Sequence, residues 1–184
     1  MRVTILFSIL ITLVFACNKK IENKSTEVLS QDTSKQVTAN IQLERFFPEN
    51  KETIVFDTLI VPNQLQVTIK KIDLDSYVTC EYSYEGKKQI DKYRDAEITL
   101  TIKQNSQILL DTVFRKEQFS KYGDKGFMDI AHFHNYWFNK LEKNRVELFG
   151  VISKPETDYT LTFYHYYDLI NKKLSFVEYT EDEE

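Results

Sequence analysis

The stretch Ala96–Lys103, AEITLTIK, alternates apolar and polar residues without a fault: Ala96, Ile98, Leu100 and Ile102 against Glu97, Thr99, Thr101 and Lys103. Successive side chains of a strand point to opposite faces, so the pattern predicts a β-strand with one buried face. Asn105-Ser106 follows, and then a second β-prone run, Ile108–Phe114. Two such runs around a two-residue turn predict an antiparallel hairpin. Similar runs recur along the chain. Ile54–Val61 is β-branched and stops at Pro62-Asn63, and Leu65, Val67 and Ile69 alternate with Gln66, Thr68 and Lys70. Val78, Cys80, Tyr82 and Tyr84 alternate with Thr79, Glu81 and Ser83 until Glu85-Gly86. Val146–Ile152, Tyr159–Tyr167 and Leu174–Tyr179 complete the set, joined by Lys154–Asp158 and Leu169–Lys173. IQLERFFPEN, ahead of them, reads either as a short helix or as an irregular segment stopped by Pro48.

One segment has another rhythm. Ile130, Phe133, His134, Trp137, Phe138 and Leu141 recur at helical spacing, with Asp129 placed as an N-cap. About eight strands and one late helix predict a mainly β domain. Its expected form is an antiparallel β-sandwich, or a strongly curved sheet, with the inserted helix over one face.

The N-terminus has a different character. After Met1-Arg2, every residue from Val3 to Ala16 is apolar except Thr4, Ser8 and Thr12. That run is shorter than the roughly 17–25 residues a membrane-spanning helix needs, and it reads as a secretory signal. Val14-Phe15-Ala16-Cys17 resembles the lipobox of bacterial lipoproteins, although Phe15 is bulkier than the usual residue at its position. The resemblance implies cleavage before Cys17, lipidation of Cys17, and a membrane held through that lipid. The expected division is 1–16 signal peptide, 17–50 lipidated N-terminus and tether, 51–180 β-rich domain and 181–184 acidic tail. Some 22 disordered tether residues would reach roughly 25 Å.

The tether, Tyr93–Lys103, Asp111–Phe119 and Ser153–Tyr159 are together similar to small Gram-negative lipoproteins that carry a domain of unknown function. That likeness brings no catalytic residues with it. Asn18-Lys19-Lys20 offers neither an acidic run nor an Asp directly after the cysteine. By resemblance, the implied address is the cell envelope, on the periplasmic side of the outer membrane.

Composition narrows the partners. A hydrophobic fraction of 42% and a charged fraction of 28% suit a globular domain, and a net charge of −4 argues against nucleic acid, which needs a basic face. With Cys17 lipidated, Cys80 has no disulfide partner and reads as a buried core thiol. His132 and His134 would diverge on a helix, and His165 is far away in sequence, so no metal site is expected. No carboxylate pair or nucleophile motif stands out, and no cofactor is expected.

In TFYHYYD (Thr162–Asp168), Phe163, His165 and Tyr167 share one strand face, and Tyr164 and Tyr166 share the other. Tyr164 and Tyr166, with Trp137, are candidate ligand-binding residues for a glycan or protein partner. They lose that role if the helix carrying Trp137 covers them. Arg94 and Arg115 lie at strand margins, as anion-binding candidates or as members of surface ion pairs. The reading that results is a non-enzymatic, membrane-anchored module that binds a glycan, peptide or partner protein. The alternatives are an envelope-polymer hydrolase and a structural or inhibitory accessory protein.

Intact mass tests the address. The mature protein is expected to start at Cys17 and carry acyl mass; a product still beginning at Met1 without acyl mass would overturn it.

Overall fold

Two short turns organise the larger sheet. Glu85 (φ 51°) with Gly86 (φ 72°), and Asn105 (φ 50°) with Ser106 (φ 66°), have the left-handed backbone that tight hairpins require. The computed structural model describes residues 43–179. The first turn joins β3 (Leu65–Tyr84) to β4 (Lys87–Gln104), and the second joins β4 to β5 (Gln107–Phe114). β2 (Thr53–Ile60) pairs antiparallel with the first part of β3. β1 (Leu43–Phe47) runs parallel to β4 over Gln89–Tyr93, and β5 pairs with β4 beyond Ile98. These five strands form one sheet. The fold therefore takes in Leu43–Phe47, ahead of the boundary expected at residue 51, and IQLERFFPEN contributes a strand.

The second sheet is a four-stranded antiparallel meander of β6 (His132–Glu142), β7 (Arg145–Ser153), β8 (Thr160–Asp168) and β9 (Lys173–Glu178). A lone four-residue helix, α1 (Phe127–Ile130), precedes it. The two sheets face each other in a mainly β, sandwich-like arrangement. Leu65, Val67, Ile69, Ile98, Leu100 and Ile102 of the first sheet join a core with Phe133, Tyr136, Leu148, Ile152, Phe163 and Tyr167 of the second. The alternation read at Ala96–Lys103 decides which side of β4 is buried, as expected.

The helix expected over Ile130–Leu141 is instead mostly β6, and the cause is two bulges. The pairing with β7 slips between Phe133 and Asn135 and again between Phe138 and Lys140. Each bulge adds one residue to the strand and shifts the following side chains by one place. The core-facing residues are therefore Phe133, Tyr136, Phe138 and Leu141. Their spacing of three, two and three imitates a helical stripe. No helix among the described residues lies over the second sheet's outer face.

A larger irregularity bends the first sheet. Asp73 pairs with Ala96 and Tyr77 with Arg94, so three β3 residues stand opposite Asp95 alone. Past this point the β3–β4 hairpin, flanked by β1, continues as a three-stranded arm. Asp95 is 2% exposed and anchors the bend. Its carboxylate accepts the Phe133 N–H at 2.9 Å and the Ala96 N–H at 3.0 Å, and it pairs with Lys116 at 3.0 Å. Lys116 also donates to the Ala131 carbonyl at 2.7 Å.

Gly150 on β7 stands directly opposite Phe163, and a Cβ there would lie 2.2 Å from the Phe163 ring. The ring occupies the space that a side chain would take, and the fully packed core around it leaves little room to shift. Gly150→Ala is expected to destabilise the fold by about 1–3 kcal/mol in urea titration, the usual cost of overpacking. Adding Phe163→Leu should recover part of that loss; a neutral single variant would contradict the packing argument.

Candidate functional site

Where the arm leaves the sandwich, a cleft of about 630 Å³ opens. Phe47 and Pro48 border it at the end of β1, Lys71 and Asp73 on β3, and Tyr93 and Arg94 on β4. The second sheet contributes His132 and His134 from β6 and the β7–β8 connection around Lys154–Thr157. A neighbouring depression of about 510 Å³ shares Phe47, Tyr93 and Glu156 and adds Arg45, Cys80, Tyr82 and Asp91. Phe47 stacks on Tyr93 with 5.1 Å between ring centroids and 15° between planes. The two rings form an apolar surface common to both depressions.

The polar groups around that surface are ordered. Arg45 grips Asp91 with two bonds, Nε to Oδ1 at 2.9 Å and Nη2 to Oδ2 at 2.7 Å. Tyr82 donates to Asp91 Oδ2 at 2.9 Å, and Arg45 Nη2 donates to the Tyr82 hydroxyl. The hydrogen bond from Arg45 is the main reason the Asp91 carboxyl is held below its ordinary range, despite its burial. Tyr93 donates to Glu156 Oε1 at 2.6 Å, bridging the arm to the β7–β8 connection. Burial, reinforced by Glu156, pushes the Tyr93 phenol well above its ordinary value.

Because β6 is a strand, His132 and His134 come together instead of diverging, with ring centroids 5.4 Å apart. His132 Nδ1 lies 3.3 Å from the Arg94 carbonyl. A carbonyl only accepts, so Nδ1 carries the proton in that bond and Nε2 keeps its lone pair. Burial lowers the His132 pKa to about 4. The His134 pKa is lowered by burial first and by the Lys71 ammonium second. Lys71 donates to the His134 carbonyl at 3.0 Å. Among the described residues, no group of three His, Cys, Asp or Glu side chains converges to hold a metal ion. Cys80 is not the buried core thiol expected; it is partly exposed and lines the smaller depression.

The other sequence candidates separate. Trp137, Tyr164 and Tyr166 stand together on the outer face of the second sheet, half-buried and with no helix among the described residues above them. Trp137 is directly opposite Phe149 in register, and Phe149 is directly opposite Tyr164. The centroid distances along this row are 4.7 and 4.9 Å. Tyr166 continues it at 5.7 Å from Tyr164, and the Arg145 guanidinium sits 4.4 Å from the Tyr166 ring centre. Phe149 and Arg145 belong to this surface although nothing in their own sequence neighbourhood marks them; only strand register places them there.

Arg94 borders the cleft, but its Nε donates to the Pro48 carbonyl at 3.2 Å and its guanidinium covers the Phe46 ring at 4.4 Å. Arg115 is remote from both surfaces and pairs with Glu97, Nε to Oε2 at 2.7 Å. Cys17 lies outside the described residues.

A family model described as a domain of unknown function (DUF4738) matches residues 24–167. No curated protein matches the chain.

The buried histidines make stability depend on pH. His165, 4% exposed, lies among Phe114, Phe119 and Phe163, and its Nδ1 is 2.9 Å from the Tyr136 hydroxyl. Burial lowers its pKa to about 4, against an ordinary value of 6.5. Above pH 6.5 the imidazole is neutral in both folded and unfolded chains and contributes no pH dependence. Between pH 6.5 and 4 the unfolded chain binds a proton that the folded one refuses, so stability falls as pH falls. The loss from His165 is on the order of 3 kcal/mol by pH 4. Urea titrations at pH 7 and pH 4.5 should show this decline, and His165→Gln should flatten it. An unchanged slope in that variant would assign the acid sensitivity elsewhere.

Proposed function

The chain belongs to the DUF4738 family, and we propose that it is a lipid-anchored, non-enzymatic module of the cell envelope that binds a glycan. The observation that carries this reading is the row Trp137–Phe149–Tyr164, three rings in direct cross-strand register on the outer face of the second sheet. Tyr179 beyond β9 meets Phe149 and Tyr164 edge-on, and no helix among the described residues lies over them. An open aromatic row, its adjacent rings tilted by 57° and 59°, receives the apolar faces of sugar rings without deep enclosure. Its surroundings suit hydroxyl groups. Asn139 donates to Glu147 Oε1 at 2.5 Å, Lys140 lies 3.7 Å from Glu147 Oε2, and Arg145 caps Tyr166. Rigid rings with few rotatable bonds lose little entropy on binding, which favours such a platform. The lipid at Cys17 and the tether would keep it close to envelope polymers.

The hydrolase alternative has less support. Asp91 is gripped by Arg45 and Tyr82, and Asp95 by Lys116 and two backbone N–H groups. Two carboxylates engaged in this way are poorly placed to exchange protons with a substrate.

Trp137 is the chain's single tryptophan, so its fluorescence reports on the row directly. Titration with envelope oligosaccharides is expected to shift the emission. Tyr164→Ala should weaken binding about tenfold, equivalent to roughly 1.4 kcal/mol. No response to any glycan, together with stoichiometric capture of a protein that Tyr164→Ala abolishes, would replace the glycan by a protein partner.

A further inference from the structure

The cleft beside the arm shares no residue with the aromatic row, and its chemistry differs. Its surface is apolar where Phe47 stacks on Tyr93 and where Pro48, Val151 and Pro155 contribute. Around that surface the charges are unequally engaged. Glu156 accepts from Tyr93 at 2.6 Å, and Asp73, 8% exposed, accepts the Glu52 N–H at 3.1 Å. Arg94 is taken up by the Pro48 carbonyl and the Phe46 ring.

Two cations keep unused capacity. The Lys71 ammonium spends one of its three donors, on the His134 carbonyl. Among the described residues, the Lys154 side chain makes no ion pair or hydrogen bond, although its residue sits at the cleft wall. The histidines add groups that can donate or accept without adding negative charge. An unspent pair of ammonium groups beside a stacked aromatic surface is complementary to an anion on an apolar or ring-shaped body.

We propose that this cleft binds a small carboxylate ligand, whose anionic group is met by Lys71 and Lys154 and whose body lies on the Phe47–Tyr93 stack. The volume of about 630 Å³ suits one compact molecule of this kind. His134 reports on the anion. Lys71 and Asp73 on β3, Tyr93 and Arg94 on β4, His132 on β6, and Lys154 and Glu156 beside β7 are the charged or titratable groups that line the cleft with it. Burial first and the Lys71 ammonium second hold the His134 pKa down, and a carboxylate between Lys71 and Lys154 offsets the ammonium's share and so moves that pKa upward.

Calorimetric titration of the full chain with N-acetylphenylalanine and with its neutral amide tests the proposal, with glucuronic acid as a third probe. The acid should bind at least tenfold more tightly than the amide. Lys154→Ala and Lys71→Ala should each weaken the acid about tenfold and leave the amide unchanged, and Lys154→Ala, which breaks no hydrogen bond among the described residues, should leave thermal unfolding unaltered. NMR titration should show the His134 pKa rising when the acid is bound. Preference for N-acetylphenylalanine would identify a peptide-type carboxylate, and preference for glucuronic acid an acidic sugar; both support the site. Trp137→Ala should leave these affinities unchanged, so failure here and failure of the aromatic row are separable. Equal binding of acid and amide, no binding of either acid at millimolar concentration, or lysine variants that bind normally would overturn it.

Discussion

A buried carboxylate holds the two sheets in the relation that the rest of the structure uses. Asp95 takes hydrogen bonds from Phe133 of β6 and from its own neighbour Ala96, and its charge is met by Lys116. Lys116 in turn donates to the Ala131 carbonyl just before β6. Charges this far from water stabilise a fold only when each is paired and its remaining valences are filled. Both conditions are met, which is why the network has directional consequences. Removing one partner would strand the other in a place without water, a cost of about 3–5 kcal/mol in comparable sites. Hydrophobic contact alone would let the sheets slide; these bonds set where β4 meets β6.

The position of Asp95 matters as much as its bonds. It sits at the bulge where three β3 residues face a single residue of β4, and there the sheet turns out of the sandwich. Beyond the turn, no second sheet among the described residues buries the arm's faces, and it is held by other means. On one face Arg45, Asp91 and Tyr82 form a polar network. On the other, Phe46 and Tyr77 meet edge to face at 5.5 Å, with the Lys92 ammonium 5.2 and 5.0 Å from their ring centres. The cleft is the space between this arm and the β7–β8 connection, closed at one point by the Tyr93–Glu156 bond.

Elements whose side chains keep a strict period were legible in the sequence. β4 and β5 and their Asn105-Ser106 turn are as expected, because one buried face and one short turn leave a single solution. β6 was not legible. Two bulges within eleven residues convert an alternating pattern into steps of three and two, and a helical template fits such steps better than a strand does. The error carried into the histidine pair, which only a strand brings together. The cleft was hidden for a related reason. Its residues come from β1, β3, β4, β6, β7, β8 and the β7–β8 connection, and none of those segments looks unusual alone. Asp95 itself reads as the polar residue before a clean strand. Tyr164 and Tyr166 were legible as one face of β8, whereas Phe149 joins them only through register.

β8 shows how the core governs the exposed row. Phe163, His165 and Tyr167 point inward, and Tyr164 and Tyr166 outward, so the register of the inner set is also the register of the outer one. A slip of one residue would exchange the two faces. Phe163 over Gly150 blocks such a slip on the β7 side, since no other position in β7 leaves room for the ring. The Tyr136–His165 bond and the bond from the Tyr167 hydroxyl to the Leu109 carbonyl at 2.9 Å add directional restraint from β6 and from β5 of the other sheet. Trp137, Phe149 and Tyr164 are thus aligned by interactions on the opposite side of the sheet. A ligand bound there as proposed would find the row already ordered, so the conformational entropy of arranging three rings would be spent during folding and not at binding.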